Sequence, residues 1–323
     1  MNMVDAINLA LHQEMERDPE VVVLGEDIGK DGGVFRVTQG LWGKFGGARV
    51  MDTPLAELGI VGVAIGMAVY GLKPVAEIQF DGFMHPVHDQ LISHASRIRN
   101  RTRGRYHVPL VLRAPYGGGI KALEHHSDSP ESYFVHTPGL KVVIPSTPYE
   151  AKGLLISSIR DPDPVIFLEP KRVYRAIKEE VPEEEYTIPL GKANIVQQGS
   201  DVTLIGYGAM LRTCREAVQL AAEKFKASVE LIDLRTLSPL DFETIETSVK
   251  KTGRAVITHE APRTLGTAAE ISARLAEKDI LSLKGPIVRV TGYDTIMPMP
   301  RLENFYIPDT QRIVRGIEKV MNF

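Results

Sequence analysis

The chain has 323 residues, 43% of them hydrophobic and 24% charged, with a formal net charge of −3. That length points to two domains of about 150 residues rather than one core, and the charge balance gives no reason to expect nucleic acid or an anionic membrane as a partner. The single cysteine, Cys214, excludes an internal disulfide and suits a reducing compartment.

The first segment, MNMVDAINLALHQEMERDPE, places Val4, Ile7, Ala10, Leu11 and Met15 on one helical face. It carries acids and lacks the basic start and apolar core of a signal peptide. With no apolar run of the roughly 18 residues a membrane span needs, the expected location is the cytoplasm. Five apolar runs follow, bounded by turn residues: VVVLGED (21–27), PVAEIQF (74–80), VPLVLRAP (108–115), KVVIPS (141–146) and PVIFLEP (164–170). Helical patterns lie between them, among them 85–100 and 148–160. Runs apolar on both faces are what a parallel sheet covered on both sides requires, and the alternation predicts a doubly wound α/β domain over 1–185.

The stretch EEVPEEEYTIP (179–189) is acidic, holds two prolines and has no period, so it reads as solvated chain. The segment 186–200 is expected to be a linker. A second alternation starts at DVTLIGYG (201–208) and continues through SVELIDL (228–234), RAVITHE (254–260) and IVRVTGY (287–293), with helical segments near 210–224, 241–252, 266–278 and 310–321. It predicts a smaller α/β domain over 201–323.

Ligands of open parallel sheets sit beyond the carboxyl ends of the strands. Those ends supply Glu26-Asp27, then Glu57 just before an apolar helix, then Gln79-Phe80 with Phe83, and finally the loop YGGG (116–119) running into EHHSDS (124–129). Seven of the nine histidines fall between His85 and His136. Several familiar chemistries fail on spacing. GYGAML (206–211) has Leu211 where a dinucleotide fingerprint needs its third glycine, and no GxxxxGK[ST] loop occurs. His125, His126 and Asp128 lack the i, i+4 spacing of a zinc helix, and no GxSxG elbow marks a hydrolase. The glycine run reads first as a tight turn rather than as a phosphate cradle. Gly59, Gly62 and Gly66 lie on one face of ELGIVGVAIGMAVYG (57–71), where another backbone can approach. An ionisable Glu57 entering so apolar a segment needs a partner. Packing alone, or a carboxyl that donates a hydrogen bond to a heterocycle nitrogen, both remain open on the residues alone.

Longer motifs narrow the choice. GEDIGKDGGVFRVTQGL (25–41), RVMDTPLAELGIVGVAIGMAVYGLKPVAEIQF (49–80), HHSDSPESYFVHTPGLKVVIPSTPYEAKGLL (125–155), DPVIFLEPKRVYR (163–175), VELIDLRTLSPLD (229–241) and THEAP (258–262) resemble one family. It is the beta subunit of the thiamine-diphosphate-dependent 2-oxo acid dehydrogenases that open the pyruvate and branched-chain multienzyme complexes. The resemblance implies a thiamine-diphosphate pyrimidine-binding fold followed by a transketolase C-terminal-type domain. It implies that Glu57 bonds the N1′ of the cofactor's aminopyrimidine, activating the thiazolium C2. Leu55, Gln79, Phe80 and Phe83 would line the same pocket; position 83 is often tyrosine in branched-chain members. His126 would be the catalytic histidine, with Ser127 and His136 as supports and His125 at the rim. A structural potassium ion held through main-chain carbonyls is implied at Leu110, Val111, Ser158, Asp161 and Asp163.

The GDG motif with a later Asn-Asn, which holds magnesium and diphosphate in complete thiamine enzymes, is absent. The resemblance therefore implies half a site, completed by an alpha subunit that holds the magnesium in an α2β2 heterotetramer. The C-terminal domain would bind the lipoyl transacylase core. The expected substrate is a branched-chain 2-oxo acid; pyruvate and acetoin enzymes share much of the pattern. A non-catalytic assembly scaffold is the alternative of a different class.

Overall fold

Apolar runs bury both of their faces in each of two α/β domains. In the computed structural model, which describes residues 1–323, the first domain holds β1 (Val21–Gly25), β2 (Val50–Asp52), β3 (Lys73–Glu77), β4 (Val111–Tyr116), β5 (Lys141–Val143) and β6 (Val165–Pro170). The second part of the chain contributes β7 (Asn194–Gln197), β8 (Val202–Gly206), β9 (Val229–Asp233), β10 (Thr236–Ser238), β11 (Ala255–His259) and β12 (Val288–Thr291). The first sheet runs β10-β5-β6-β4-β3-β1-β2 and the second β12-β11-β8-β9-β7. All pairings are parallel except β10 with β5 and β7 with β9, both at sheet edges.

Alternation along the strands divides the core. Val21, Val23, Val75, Val111, Val165 and Phe167 pack under the helices Met3–Arg17 and Pro148–Ile159. Leu24, Ala76, Leu112, Ala114, Ile166 and Leu168 point to the opposite face, against the helix Glu57–Tyr70. That second cluster continues through Ile205, Ile232, Phe242, Ile245 and Ile271 of the second domain, so one core joins the two. Local signals start the helices where they should. Asn2 and Asp5 form a capping box before the first, and Thr147 caps the helix that Pro148 opens.

Three stretches depart from the sequence reading. Residues 85–100 are not one α-helix: a 3₁₀ segment Asp81–Val87 leads to a π-helical turn Gln90–Ala95 and an α-turn Ile98–Arg101. Pro86 lies inside the first piece and has no N–H to donate, which interrupts an α-helical ladder there. The expected linker 186–200 contains β7, whose alternating half-buried and exposed residues mark an edge strand; four residues were too short a pattern to see. Finally, β10 leaves the second domain's chain to lengthen the first sheet, with Ile144 N–H bonded to the Arg235 carbonyl at 2.8 Å.

A buried ion cluster crosses the middle of the first sheet. Arg113 on β4 bonds Glu77 on β3 at 2.7 Å and Glu169 on β6 at 2.6 Å, and Tyr174 donates to Glu169 at 2.6 Å. All three charged side chains are at most 5% exposed. The parallel register puts Glu77 opposite Arg113, and Glu169 opposite Pro115, two residues further along the same face.

Candidate active site

The strand order reverses at β1, which has β2 on one side and β3 on the other. A crevice beyond the carboxyl ends of the strands is expected at that point. Glu26 and Asp27 leave β1 there, and Gln79, just past β3, donates to the Glu26 carbonyl at 3.4 Å and to Asp27 Oδ2 at 3.1 Å. Glu26 is buried, and desolvation, followed by the nearby Glu57 and Asp27 charges, raises its pKa.

Glu57 begins the helix Glu57–Tyr70 and is half-buried, the one charged residue of that helix. A carboxylate is favoured at a helix N-terminus. The helix is apolar all round, yet only one side of it is covered. Leu55, just before it, is 80% exposed, and Leu58, Val63 and Tyr70 are exposed as well. A Cβ added at Gly66 would meet nothing within 4 Å.

Across the crevice stands an aromatic wall. Phe80 lies 4.2 Å from the His126 ring and 6.2 Å from Phe83, and Phe83 is 5.3 Å from His126, all centroid to centroid. His125 stacks on the outer side of Phe83. Gly82 makes this arrangement fit, because a Cβ there would collide with the His125 carbonyl. Beneath the wall Lys171 Nζ bonds Asp81 at 2.7 Å, both side chains fully buried, with Nζ 5.6 Å from the Phe80 ring centroid. Burial pushes the Asp81 carboxyl up to about 7 against the pull of Lys171, and burial pulls Lys171 down. Desolvation, then the Lys171 and His125 charges, lower the His126 pKa, so its imidazole is neutral near pH 7.

Two family descriptions match the chain: "Transketolase, pyrimidine binding domain" over residues 1–177 and "Transketolase, C-terminal domain" over 191–313. A relative from Acholeplasma laidlawii, named pyruvate dehydrogenase E1 component subunit beta, is 54% identical over 99% of this chain and 98% of its own. A Dictyostelium discoideum relative, named 2-oxoisovalerate dehydrogenase subunit beta, mitochondrial, is also 54% identical, over 99% of this chain and 86% of its own. The chain belongs to the beta subunits of the 2-oxo acid dehydrogenases. A solved structure titled split gene transketolase, inactive beta4 tetramer, superposes with a TM-score of 0.81 over 100% of this chain and 98% of its own. At 20% identity it speaks for the fold alone.

In this beta subunit the rim residues named from the sequence fall into two groups. Glu57 and Gln79 both lie next to Glu26, on the crevice side. Phe80, Phe83 and His126 form the wall. Leu55 sits at the mouth with its side chain outward. Ser127 is buried beside His126 with its hydroxyl unpaired, whereas His136 is exposed at the end of the helix Glu131–Val135.

The residues whose carbonyls are expected to hold potassium lie at one corner of the first domain, where several side chains and carbonyls already have partners. Lys141 Nζ holds both oxygens of Asp161, at 2.7 and 2.6 Å, and Arg99 bonds Asp163 at 2.6 Å. The Leu110 carbonyl accepts the Val165 N–H at 2.8 Å, and the Ser158 carbonyl accepts the Asp161 N–H at 3.3 Å. Val111 lies in β4.

The weak fingerprint at 206–211 proves to be packing: Gly208, at φ +58°, lies against Tyr116 and Ile144 of the first domain. Sequence reasoning missed the Lys171–Asp81 pair. Its only signal was a charge placed directly after each of two apolar runs.

Proposed function

We propose that this chain supplies the pyrimidine half of a thiamine diphosphate site and, with an alpha subunit, decarboxylates a branched-chain 2-oxo acid and passes the acyl group to a lipoyl group. The carrying observation is one crevice flanked by a carboxyl at a helix start and by an aromatic wall that ends in a neutral imidazole. These groups fit an aminopyrimidine: a carboxyl to hydrogen-bond its ring nitrogen, and flat apolar surface to exclude water around it. Thiamine diphosphate, when bound, supplies the carbon nucleophile and electron sink that decarboxylation of a 2-oxo acid requires.

The chain's own residues then have distinct tasks. Glu57 hydrogen-bonds the pyrimidine nitrogen, and Glu26 beside it is the buried carboxyl whose pKa desolvation, then the Glu57 charge, raises. Phe80 and Phe83 shape the apolar wall. His126 enters the reaction neutral, so it can accept a proton at the reacting oxygen and return it when the acyl group leaves. Desolvation first, and the Lys171 cation beneath the rings second, favour that neutral form.

The bare outer face of the helix Glu57–Tyr70 supports an alpha subunit as partner. A helix hydrophobic all round is normally covered all round, and Gly59 and Gly66 allow a second backbone to approach. On this reading the alpha subunit brings the magnesium and the diphosphate contacts in an α2β2 assembly, and the C-terminal domain meets the lipoyl transacylase core. Pyruvate is the second substrate reading, favoured by the Acholeplasma relative, whose identity equals that of the 2-oxoisovalerate relative.

The test is dye-linked decarboxylation with thiamine diphosphate and magnesium, offering 3-methyl-2-oxobutanoate and pyruvate. Activity only when the alpha subunit is added supports the split site, and the preferred acid decides the substrate. Activity from this chain alone overturns the split.

A further inference from the structure

The glycine run does not receive an external anion; it receives carboxylates from the other domain. Gly117 and Gly119 have φ of +81° and +102°, and Lys121 has φ of +58°. Residues that depart from ordinary φ in this way turn successive N–H groups toward one side, forming a concave anion site. Here the Gly118 N–H donates to Glu260 Oε2 at 3.1 Å. The Gly119 N–H donates to Glu303 Oε1 at 2.7 Å, and the Lys121 N–H donates to Glu303 Oε2 at 3.0 Å. Glu260 follows β11, and Glu303 opens the short helix Glu303–Tyr306, so both acids come from the second domain. Both are buried, at 6% and 2% exposed.

Side chains are excluded on this stretch for the same reason. A Cβ at Gly118 would strike Met297 and Ile307, and one at Gly119 would strike Arg172. Arg172 also donates to Glu260 Oε1 at 2.8 Å, which ties this acid to the end of β6 beside Lys171. The run leads straight into the histidine segment. The Gly117 N–H donates to the Asp128 carbonyl at 2.8 Å, closing residues 117–128 into one loop, and the His126 N–H donates to Leu123 at 2.9 Å. His126 thus rides on a loop whose base is closed within the first domain and whose flank is gripped by the second.

We propose that Glu303 and Glu260 are positioning residues: through the amides of Gly118, Gly119 and Lys121 they fix the loop that aims His126, so the C-terminal domain takes part in catalysis without touching substrate. This rests on the reading of His126 as catalytic. A displacement of about 1 Å at a reacting group costs up to about 100-fold in rate, so a modest release of the grip is measurable.

The experiment uses the assembly reconstituted with its alpha subunit, thiamine diphosphate and magnesium. Kinetics are compared for the parent, Glu303→Gln, His126→Ala and the double variant. Glutamine keeps the shape of Glu303 but turns an NH2 group toward one of the two backbone N–H donors. Expected is a fall in kcat of about tenfold for Glu303→Gln with KM within about twofold of the parent, and faster tryptic cleavage after Lys121. The double variant should be no slower than His126→Ala, because both changes disable the same group. Glu260→Gln, at the neighbouring amide, should repeat this pattern if the Glu303 variant folds poorly.

A parental kcat in both glutamine variants, or losses that multiply with that of His126→Ala, overturns the positioning role while leaving His126 catalytic. Parental activity in His126→Ala instead removes the reading beneath it, whatever Glu303 does.

Discussion

On one side of the crevice Glu57 stands half-buried at the start of a helix whose outer face is bare. On the other, His126 sits in a loop closed by its own backbone, backed by the buried Lys171–Asp81 pair and gripped by carboxylates of the second domain. The first side has neighbours at the helix start but none along the outer face of its helix; the second is packed within the chain. The difference teaches where each kind of precision comes from. A proton-handling histidine needs a fixed direction, which tertiary contacts within one chain can set. On the proposed reading, the carboxyl side receives its remaining apolar surround from the alpha subunit.

The largest effect expected from breaking this contrast is at Glu57. Glu57→Gln in the reconstituted assembly should lower decarboxylation by about 10²- to 10⁴-fold, the range of a lost general acid or base, while sedimentation shows assembly unchanged. Near-parental turnover would favour the scaffold reading.

On the self-sufficient side, Arg113→Met leaves Glu77 and Glu169 buried without their cation. A loss of about 3–5 kcal/mol is expected in denaturant unfolding of the beta chain, as for other buried pairs deprived of one partner. A loss under about 1 kcal/mol would mean that the carboxyls neutralise themselves by holding protons.

Val63→Lys tests the bare helix. Losing the burial of one valine, about 1.5–3 kcal/mol, should weaken association with the alpha subunit by about 10- to 100-fold. The isolated chain should keep its unfolding midpoint, since Val63 is 54% exposed there.

The last effect is one of pH. Glu131 is buried at the domain junction, accepts from Tyr207 at 2.8 Å, and has its pKa raised from 4.5 to about 7, by desolvation first and by the Glu260 charge among lesser causes. The folded chain therefore holds this proton more tightly than the unfolded chain. Its contribution to stability is complete below about pH 4.5 and lost as pH rises through about 7. Glu131→Gln should flatten that decline by roughly 3 kcal/mol at most, between about pH 4.5 and about pH 7. An unchanged pH slope would place the titration on other groups.

Much of this was legible in the linear sequence. Apolar runs at regular spacing marked β1, β3, β4, β6, β8, β9 and β11 because strands buried on both faces tolerate little else. Glu57 stood out as a charge at the head of an otherwise apolar helix. The buried ion cluster was not read: the runs 74–80, 108–115 and 164–170 each carry one charge within the strand, Glu77, Arg113 and Glu169, but only the sheet order shows that they touch. Pro86 was the available sign of the break in 85–100, and the reading of a helical pattern passed over it.

What the sequence determined alone is the two α/β units, the strands of their cores and the residue types at the strand ends, because these follow from local pattern and from burial on both faces. Tertiary structure decided the rest. That β10 crosses to the other sheet, that Lys171 finds Asp81, and that the amides of YGGG and Lys121 meet Glu260 and Glu303 all depend on groups from 90 to 184 residues apart in the chain. No local period encodes such pairings. They are selected when the shared core docks the two domains and leaves each buried charge with one partner in reach.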